Sequence, residues 1–323
     1  LKTKPCLSTT NITLRGLIML GRVAALHYTH GLTHQKIADL LGLSRVQVTR
    51  MLAKAREEGV VEFKVHSDEQ IFPEVQTALT RKYGLKQAWV GPGFNGPQQA
   101  MASVGTVGAE FLKSYVQAGD VVAVGLSVTL DQIVPHMKGF SVDATFVPAL
   151  GSRPGGGYGV HPHEVASDLA DIVGGRTRHL PAPFIMASEA AALMMNEEPD
   201  VKSTLAMAKN ARLGLYGIGG VSPGSGPLIQ EIGPTGELER LLAQGAVGDI
   251  SGIYFDSEGR YVPSAIEKRI ISLTLEEIRS LPDRAVVALG RKKVPAIAAA
   301  AKSGIISHLV TDLQTAQGLL SFD

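Results

Sequence analysis

The chain has 323 residues, with 31 Lys and Arg against 30 Asp and Glu, a formal net charge of +1. Apolar residues make up 45% and charged residues 19%, enough for a packed core, which excludes an intrinsically disordered protein. The length suggests two domains, and the single cysteine, Cys6, makes no internal disulfide and builds no structural zinc site. No apolar run reaches the roughly 18 residues of a membrane span, because Arg15 and Arg22 interrupt the most hydrophobic early stretch. With no basic–apolar–cleavage pattern at the start, a soluble cytoplasmic protein is the expectation.

The near-zero total hides an asymmetry. The first 66 residues carry ten Lys and Arg against Asp39, Glu57, Glu58 and Glu62, so they hold +6 and the remaining 257 residues hold −5. A small basic block before a larger, slightly acidic body suggests a polyanion-binding head on its own module.

Inside that block, Leu17, Ile18, Leu20, Val23, Ala24 and Tyr28 recur at helical spacing until Gly31 stops the helix. Thr33 is the expected N-cap of a second helix, with Ile37, Ala38, Leu40 and Leu41 as its apolar stripe. Gly42-Leu43 makes a tight turn, and Ser44 caps a third helix running to about Glu58. Two short helices joined by a Gly-containing turn are the helix-turn-helix arrangement, whose second helix enters the DNA major groove. At about 100° per residue, Val48, Leu52 and Ala55 face inward with Met51 beside them. Val46, Arg50 and Ala53 face outward, flanked by Gln47, Thr49 and Lys54. Arg can read guanine, Gln can read adenine and Val can touch a thymine methyl. Arg45, on the first turn, suits a phosphate. After Gly59, Val60 to Val65 reads as a short strand, the wing of a winged variant.

These features divide the chain into a DNA-binding domain over 1–66, a connecting helix over 67–85 and an effector-binding α/β domain over 86–323. In the connecting helix, Ile71, Val75, Leu79 and Tyr83 are spaced by four. That edge either pairs with a second subunit or packs on its own domain.

Beyond residue 85, apolar runs at 121–124, 145–147, 213–216 and 285–289 look like buried parallel strands. Helical patterns lie around 100–117, 128–138, 163–173, 236–243 and 294–303. Alternating strands and helices imply a doubly wound α/β domain, with ligands at the carboxyl ends of the strands. Four strand-to-helix loops stand out there. Gly125-Leu126-Ser127-Val128-Thr129 follows 121–124 and opens a helix, where hydroxyls and backbone N–H groups suit a phosphate. Gly217-Ile218-Gly219-Gly220 repeats that logic. Gly151 to Gly159 is a glycine-rich stretch leading to His161-Pro162-His163-Glu164. Lys293 stands at a helix start, where its ammonium either meets an anion or is simply solvated beside Arg291 and Lys292.

No strand is followed by a P-loop or a dinucleotide fingerprint, so no cofactor is expected, and a small anionic or polyhydroxylated ligand fits best. Arg153 is either a further partner for the anion or an exposed loop arginine. His161, His163 and Glu164 have metal-ligand chemistry, but partners to complete a shell are not evident, and a surface or ligand-contacting pair is preferred. Asp249 either meets the ligand or caps backbone in a turn. An isomerase-like enzyme with an appended DNA-binding head is the competing function. It needs a general base and acid, for which Asp249 and Glu164 are available, yet they form no paired-carboxylate motif.

The whole chain resembles the SorC family (SorC/DeoR-type) of sugar-responsive bacterial transcriptional regulators. At the front the resemblance rests on residues 31–38 (GLTHQKIA), Leu43-Ser44-Arg45 and residues 55–61 (AREEGVV). In the body it rests on Gly119-Asp120, Gly125-Leu126-Ser127, Gly217-Ile218-Gly219, residues 247–252 (VGDISG) and residues 293–297 (KVPAI). It implies a body shaped like a sugar-phosphate isomerase but serving as a sensor, in a homotetramer or dimer of dimers on operator DNA. The match puts Ser127 and Thr129 in the ligand loop, Asp249 on ligand hydroxyls and Lys293 on the phosphate of a sugar, a polyol or their ester. Arg269 falls in another family segment. Where relatives commonly carry Asn-x-Asn-Glu, this chain has His161-Pro162-His163-Glu164, a departure that marks a different effector.

Overall fold

The computed structural model describes residues 14–61, 72–152, 162–222, 228 and 233–322. The chain divides into two compact units, Leu1–Glu69 and Gln70–Asp323. In the first, α1 (Leu14–Ala24) runs into a single π turn (Ala25–Thr29), followed by α2 (His34–Leu41) and α3 (Arg45–Glu57). The caps are the ones the sequence announces. Thr33 Oγ1 accepts from the Lys36 N–H, and Gly42 closes α2 in the left-handed region at φ 65°. Ser44 and Gln47 form a reciprocal capping box, with bonds of 3.2 and 2.8 Å. Leu20, Val23, Ile37, Ala38, Val48, Leu52 and Ala55 are buried together, whereas Leu17 and Ile18 of the predicted first-helix stripe are exposed. Val60 and Val61 lie in a bend; the rest of the expected wing strand falls outside the described residues.

The second unit opens with α4 (Pro73–Tyr83), β1 (Gln87–Gly91), α5 (Pro97–Tyr115), β2 (Val121–Val124) and β3 (Thr145–Pro148). It continues with α6 (Pro162–Val173), β4 (Arg176–Thr177), α7 (Glu189–Glu197), α8 (Pro199–Lys209), β5 (Leu213–Tyr216) and β6 (Gly219–Gly220). Next come α9 (Glu237–Ala243), β7 (Ala246–Ile250), β8 (Ile253–Asp256), β9 (Tyr261–Val262) and α10 (Leu275–Ser280). The last elements are β10 (Asp283–Val287), α11 (Val294–Lys302), β11 (His308–Asp312) and α12 (Leu313–Ser321).

Seven strands form one parallel sheet in the order β1-β11-β10-β5-β2-β3-β4, with Val122 in register with both Phe146 and Leu213. The pleat sends Val122 and Val124 into one core with α5 and α6, and Ala123 into another with α8, α10, α11 and α12. Both faces are therefore covered, as a doubly wound sheet requires. Of the two readings of the connecting helix, packing on its own unit describes α4. Its Leu79 and Tyr83 join the second of these cores, and Tyr83 Oη donates to the Leu319 carbonyl at 2.6 Å.

Two differences bear on the site. The helix expected over 128–138 is a 3-10 helix over Asp131–Met137 with Pro135 inside it; the missing N–H and the ring of proline prevent a regular α-helix. A second, antiparallel sheet, β6-β7-β8-β9, has no counterpart in the strands read from sequence.

Candidate functional site

On α3, Val48, Leu52 and Ala55 are buried. Arg45, Val46, Gln47, Thr49 and Arg50 are exposed, and Lys54 is half-buried. Two of these outward groups are already engaged. Gln47 Oε1 accepts from the Ser44 N–H, so a bidentate pairing with adenine would have to share that acceptor. Thr49 Oγ1 donates to the Arg45 carbonyl and lies 3.1 Å from His34 Nδ1. Arg50 keeps its position at the centre of the exposed face.

In the body, the carboxyl ends of the neighbouring strands β10, β5 and β2 each release a loop on one edge of the sheet, and the β7–β8 hairpin meets them there. Gly125 follows β2, its N–H bonded to the Leu215 carbonyl. A Cβ on Gly125 would collide with the Tyr216 ring and lie 2.9 Å from Ser251 Oγ. Gly217 leaves room for Ser127, whose Cβ and Oγ would sit 2.6 Å from an added methyl. Gly219 pairs with Asp249 across β6 and β7, and a side chain there would run into the Asp249 carboxylate. Close backbone approach requires these glycines.

Asp249 is 5% exposed, and its Oδ2 accepts the Gly252 N–H at 3.0 Å. Burial pushes its carboxyl upward, against that hydrogen bond and the attraction of Lys293. Lys293 ends a 3-10 turn and caps α11; its loop is held where the Gly290 N–H donates to Thr315 Oγ1 at 2.7 Å. Burial pushes its ammonium down, and Asp249 acts in the opposite sense. A desolvated acceptor thus sits within electrostatic reach of a desolvated cation. That pair, with the Ser127 hydroxyl, suits a small molecule bearing hydroxyls at one end and negative charge at the other.

The remaining predicted residues fall differently. Thr129 is 1% exposed, with its hydroxyl toward Met101 Sδ and its N–H donated to Ser127 Oγ at 3.1 Å. Without an α-helix beginning there, the helix-end phosphate site expected at Ser127 and Thr129 reduces to the Ser127 loop. Gly151 is buried between strands: its N–H meets the Ile271 carbonyl, and a Cβ would press on the Pro183–Phe184 backbone. Glu164 is exposed on the first turn of α6, where its charge, with those of Asp131 and Asp171, raises the Asp168 carboxyl after burial. His163 is half-buried beside it. Arg153 and His161 lie outside the described residues, among which no group of three or more His, Cys, Asp and Glu is placed to hold a metal. Sequence reasoning missed Ser251 and Tyr216, although Ser251-Gly252 between two apolar runs is a hairpin signal.

A family model for a sugar-binding domain matches residues 72–321, and one for a Crp-like helix-turn-helix domain matches residues 15–71. The chain is 31% identical to the transcriptional regulator LsrR of Enterobacter sp., over 94% of this chain and 93% of that protein. It is 28% identical to the erythritol catabolism regulatory protein EryD of Brucella abortus, over 93% and 95%. The full-length sorbitol operon regulator SorC from Klebsiella pneumoniae has the same fold, with a TM-score of 0.75 at 22% identity over 94% of this chain and 99% of that one. Relatives spanning both units are regulators, which sets aside the isomerase-like enzyme. The chain belongs to the SorC family of sugar-binding transcriptional regulators: it is a DNA-binding regulator, not an enzyme.

Proposed function

We propose that this regulator binds operator DNA through α3 and is controlled by a polyol, a sugar or their phosphate ester held at the carboxyl edge of the parallel sheet. The observation that carries the reading is the convergence of Ser127, Asp249 and Lys293 from three separate chain segments onto one edge. Arg50 reads a base, Arg45 and Lys54 meet phosphates, and Val46 contacts a base edge. In the sensor, Asp249 accepts from ligand hydroxyls and Lys293 meets the charged end. Gly125, Gly217 and Gly219 let these segments approach one another closely. Relatives named for erythritol and sorbitol favour a polyol or its phosphate over a cyclic sugar.

The regulator acts in the cytoplasm as a homo-oligomer, a dimer or tetramer, because a two-fold operator is matched by a two-fold protein. Among the described residues no helix is long and apolar enough to cross a membrane. A thermal-shift screen of erythritol, sorbitol, erythritol 4-phosphate and sorbitol 6-phosphate tests the effector reading, since a ligand of the folded state stabilises it by mass action. The expected result is a shift with at least one of them and a changed affinity for operator DNA in its presence. No shift with any of the four overturns the polyol reading.

A further inference from the structure

The β7–β8 hairpin turns on Ser251-Gly252, between the paired residues Ile250 and Ile253. Both turn residues take positive φ, 53° and 81°. Two positive values in a two-residue loop define a type I′ turn, a place for Asn, Asp or Gly; serine is an unfavourable choice. Ser251 is also the one described residue other than glycine with positive φ. Strain of this kind persists where the surroundings impose it, often at a binding site.

The side chain adds a second cost. Ser251 is 3% exposed, and its Oγ is buried with no hydrogen-bond partner among the described residues. Glycine would relieve the strain and remove the orphan hydroxyl, so neither the turn nor the core explains a serine here. The neighbourhood does. The hydroxyl faces Gly125 on the ligand loop, 2.9 Å from where a Cβ would stand. Two residues earlier on the same turn is Asp249, fixed by the Gly252 N–H.

We infer that Ser251 is a specificity-determining residue of the effector site, where its Oγ completes its hydrogen bonding on a ligand hydroxyl next to the one held by Asp249. This rests on the effector reading above. A carboxylate only accepts, whereas a serine hydroxyl both donates and accepts. Side by side on one turn, the two read a vicinal diol: one hydroxyl donates to Asp249, and its neighbour exchanges a hydrogen bond with Ser251. A ligand lacking the second hydroxyl leaves Ser251 unpaired, and a site built around a hydroxyl rejects such an analogue strongly.

The test uses the full-length chain, its Ser251→Gly variant and calorimetric titration with erythritol, sorbitol and their phosphates. Ser251→Gly keeps the turn, because glycine accepts positive φ without strain. Its ligand-free melting temperature should equal or exceed that of the parent, and its operator affinity should be unchanged. Its affinity for whichever of the four the parent binds should fall about tenfold, the worth of one hydrogen bond. Variant affinity within twofold of the parent overturns the role of Ser251 and leaves the effector reading standing. If the parent binds none of the four, the polyol reading falls and takes this inference with it. A lower ligand-free melting temperature, with affinity lost in proportion, assigns Ser251 a structural role and overturns the inference.

Discussion

Arg212 closes on Asp120 with Nε and Nη2, each 2.6 Å from a different carboxylate oxygen. Both residues stand immediately before a strand, β5 and β2, so this pair fastens the amino ends of the two strands whose carboxyl ends carry the ligand loops. Asp120 also accepts the Gln117 N–H at 2.7 Å, and the Arg212 guanidinium lies 4.7 Å from the centre of the Tyr115 ring. The ion pair thus lies at the sheet edge opposite Gly125 and Gly217.

Asp120→Asn should lower stability by roughly 1–3 kcal/mol at neutral pH, because it leaves a partly buried guanidinium without its charge partner. Burial alone raises the Asp120 carboxyl, but the Arg212 hydrogen bonds, the Gln117 N–H and the Arg212 charge outweigh it and hold it below the ordinary carboxylate range. A depressed folded-state pKa contributes stability above the unfolded value, lost as pH falls through the folded one. Urea unfolding at pH 7 and pH 3 should therefore show the penalty of Asp120→Asn shrinking in acid. A constant penalty would mean the pair acts by packing rather than charge.

Arg50→Ala should cost about 1–3 kcal/mol in operator affinity and relax sequence preference at one base position. Arg45→Ala should weaken binding to all sequences alike and make it less dependent on salt, the signature of a lost phosphate contact. Footprinting on an operator selected from random-sequence DNA separates the two. Protection by Arg50→Ala at parental affinity would remove that face from base reading.

Lys293→Ala should bind operator normally yet lose on the order of 2–3 kcal/mol of affinity for a phosphate ester, and far less for the uncharged polyol. Burial lowers the Lys293 ammonium, so its charge is lost at lower pH than that of an exposed lysine. Affinity for sorbitol 6-phosphate should then decline as pH rises from neutral toward the ordinary lysine range, and Lys293→Ala should flatten that decline. Equal losses for both ligands in calorimetry would point away from Lys293 as the phosphate partner.

The head was legible because its signals are local. Thr33, Gly42 and Ser44 mark helix ends within a few residues of the apolar stripes they bound, and the structure caps the helices there. The strands β2, β3, β5 and β10 are short apolar runs and were equally open to reading. By contrast, β11 buries His308, Thr311 and Asp312, which break the apolar run, and β1 is its edge partner. The antiparallel sheet escaped notice because Gly248 and Asp249 interrupt the alternation of β7. Lys293 stands out from its place at a helix start after a buried strand, whereas the role of Asp249 on ligand hydroxyls comes from the family resemblance. Ser251-Gly252 signals a hairpin in the sequence, but the orphan hydroxyl of Ser251 arises only once that hairpin closes on Gly125. Gln47 shows the reverse case, a residue suited to base reading that the capping box partly withdraws.

Gly248 packs so tightly on Ala296 that a Cβ there would collide with it, while also lying 2.8 Å from the Gly219 carbonyl oxygen. The strand bearing Asp249 and the helix led by Lys293 are therefore spaced by backbone and a single methyl, not by long side chains. Asp249 on that strand and Lys293 at the head of that helix are thus held at a spacing fixed by the packing of Gly248 on Ala296. Enlarging the side chain at position 296 would push that strand and helix apart without altering either charged group.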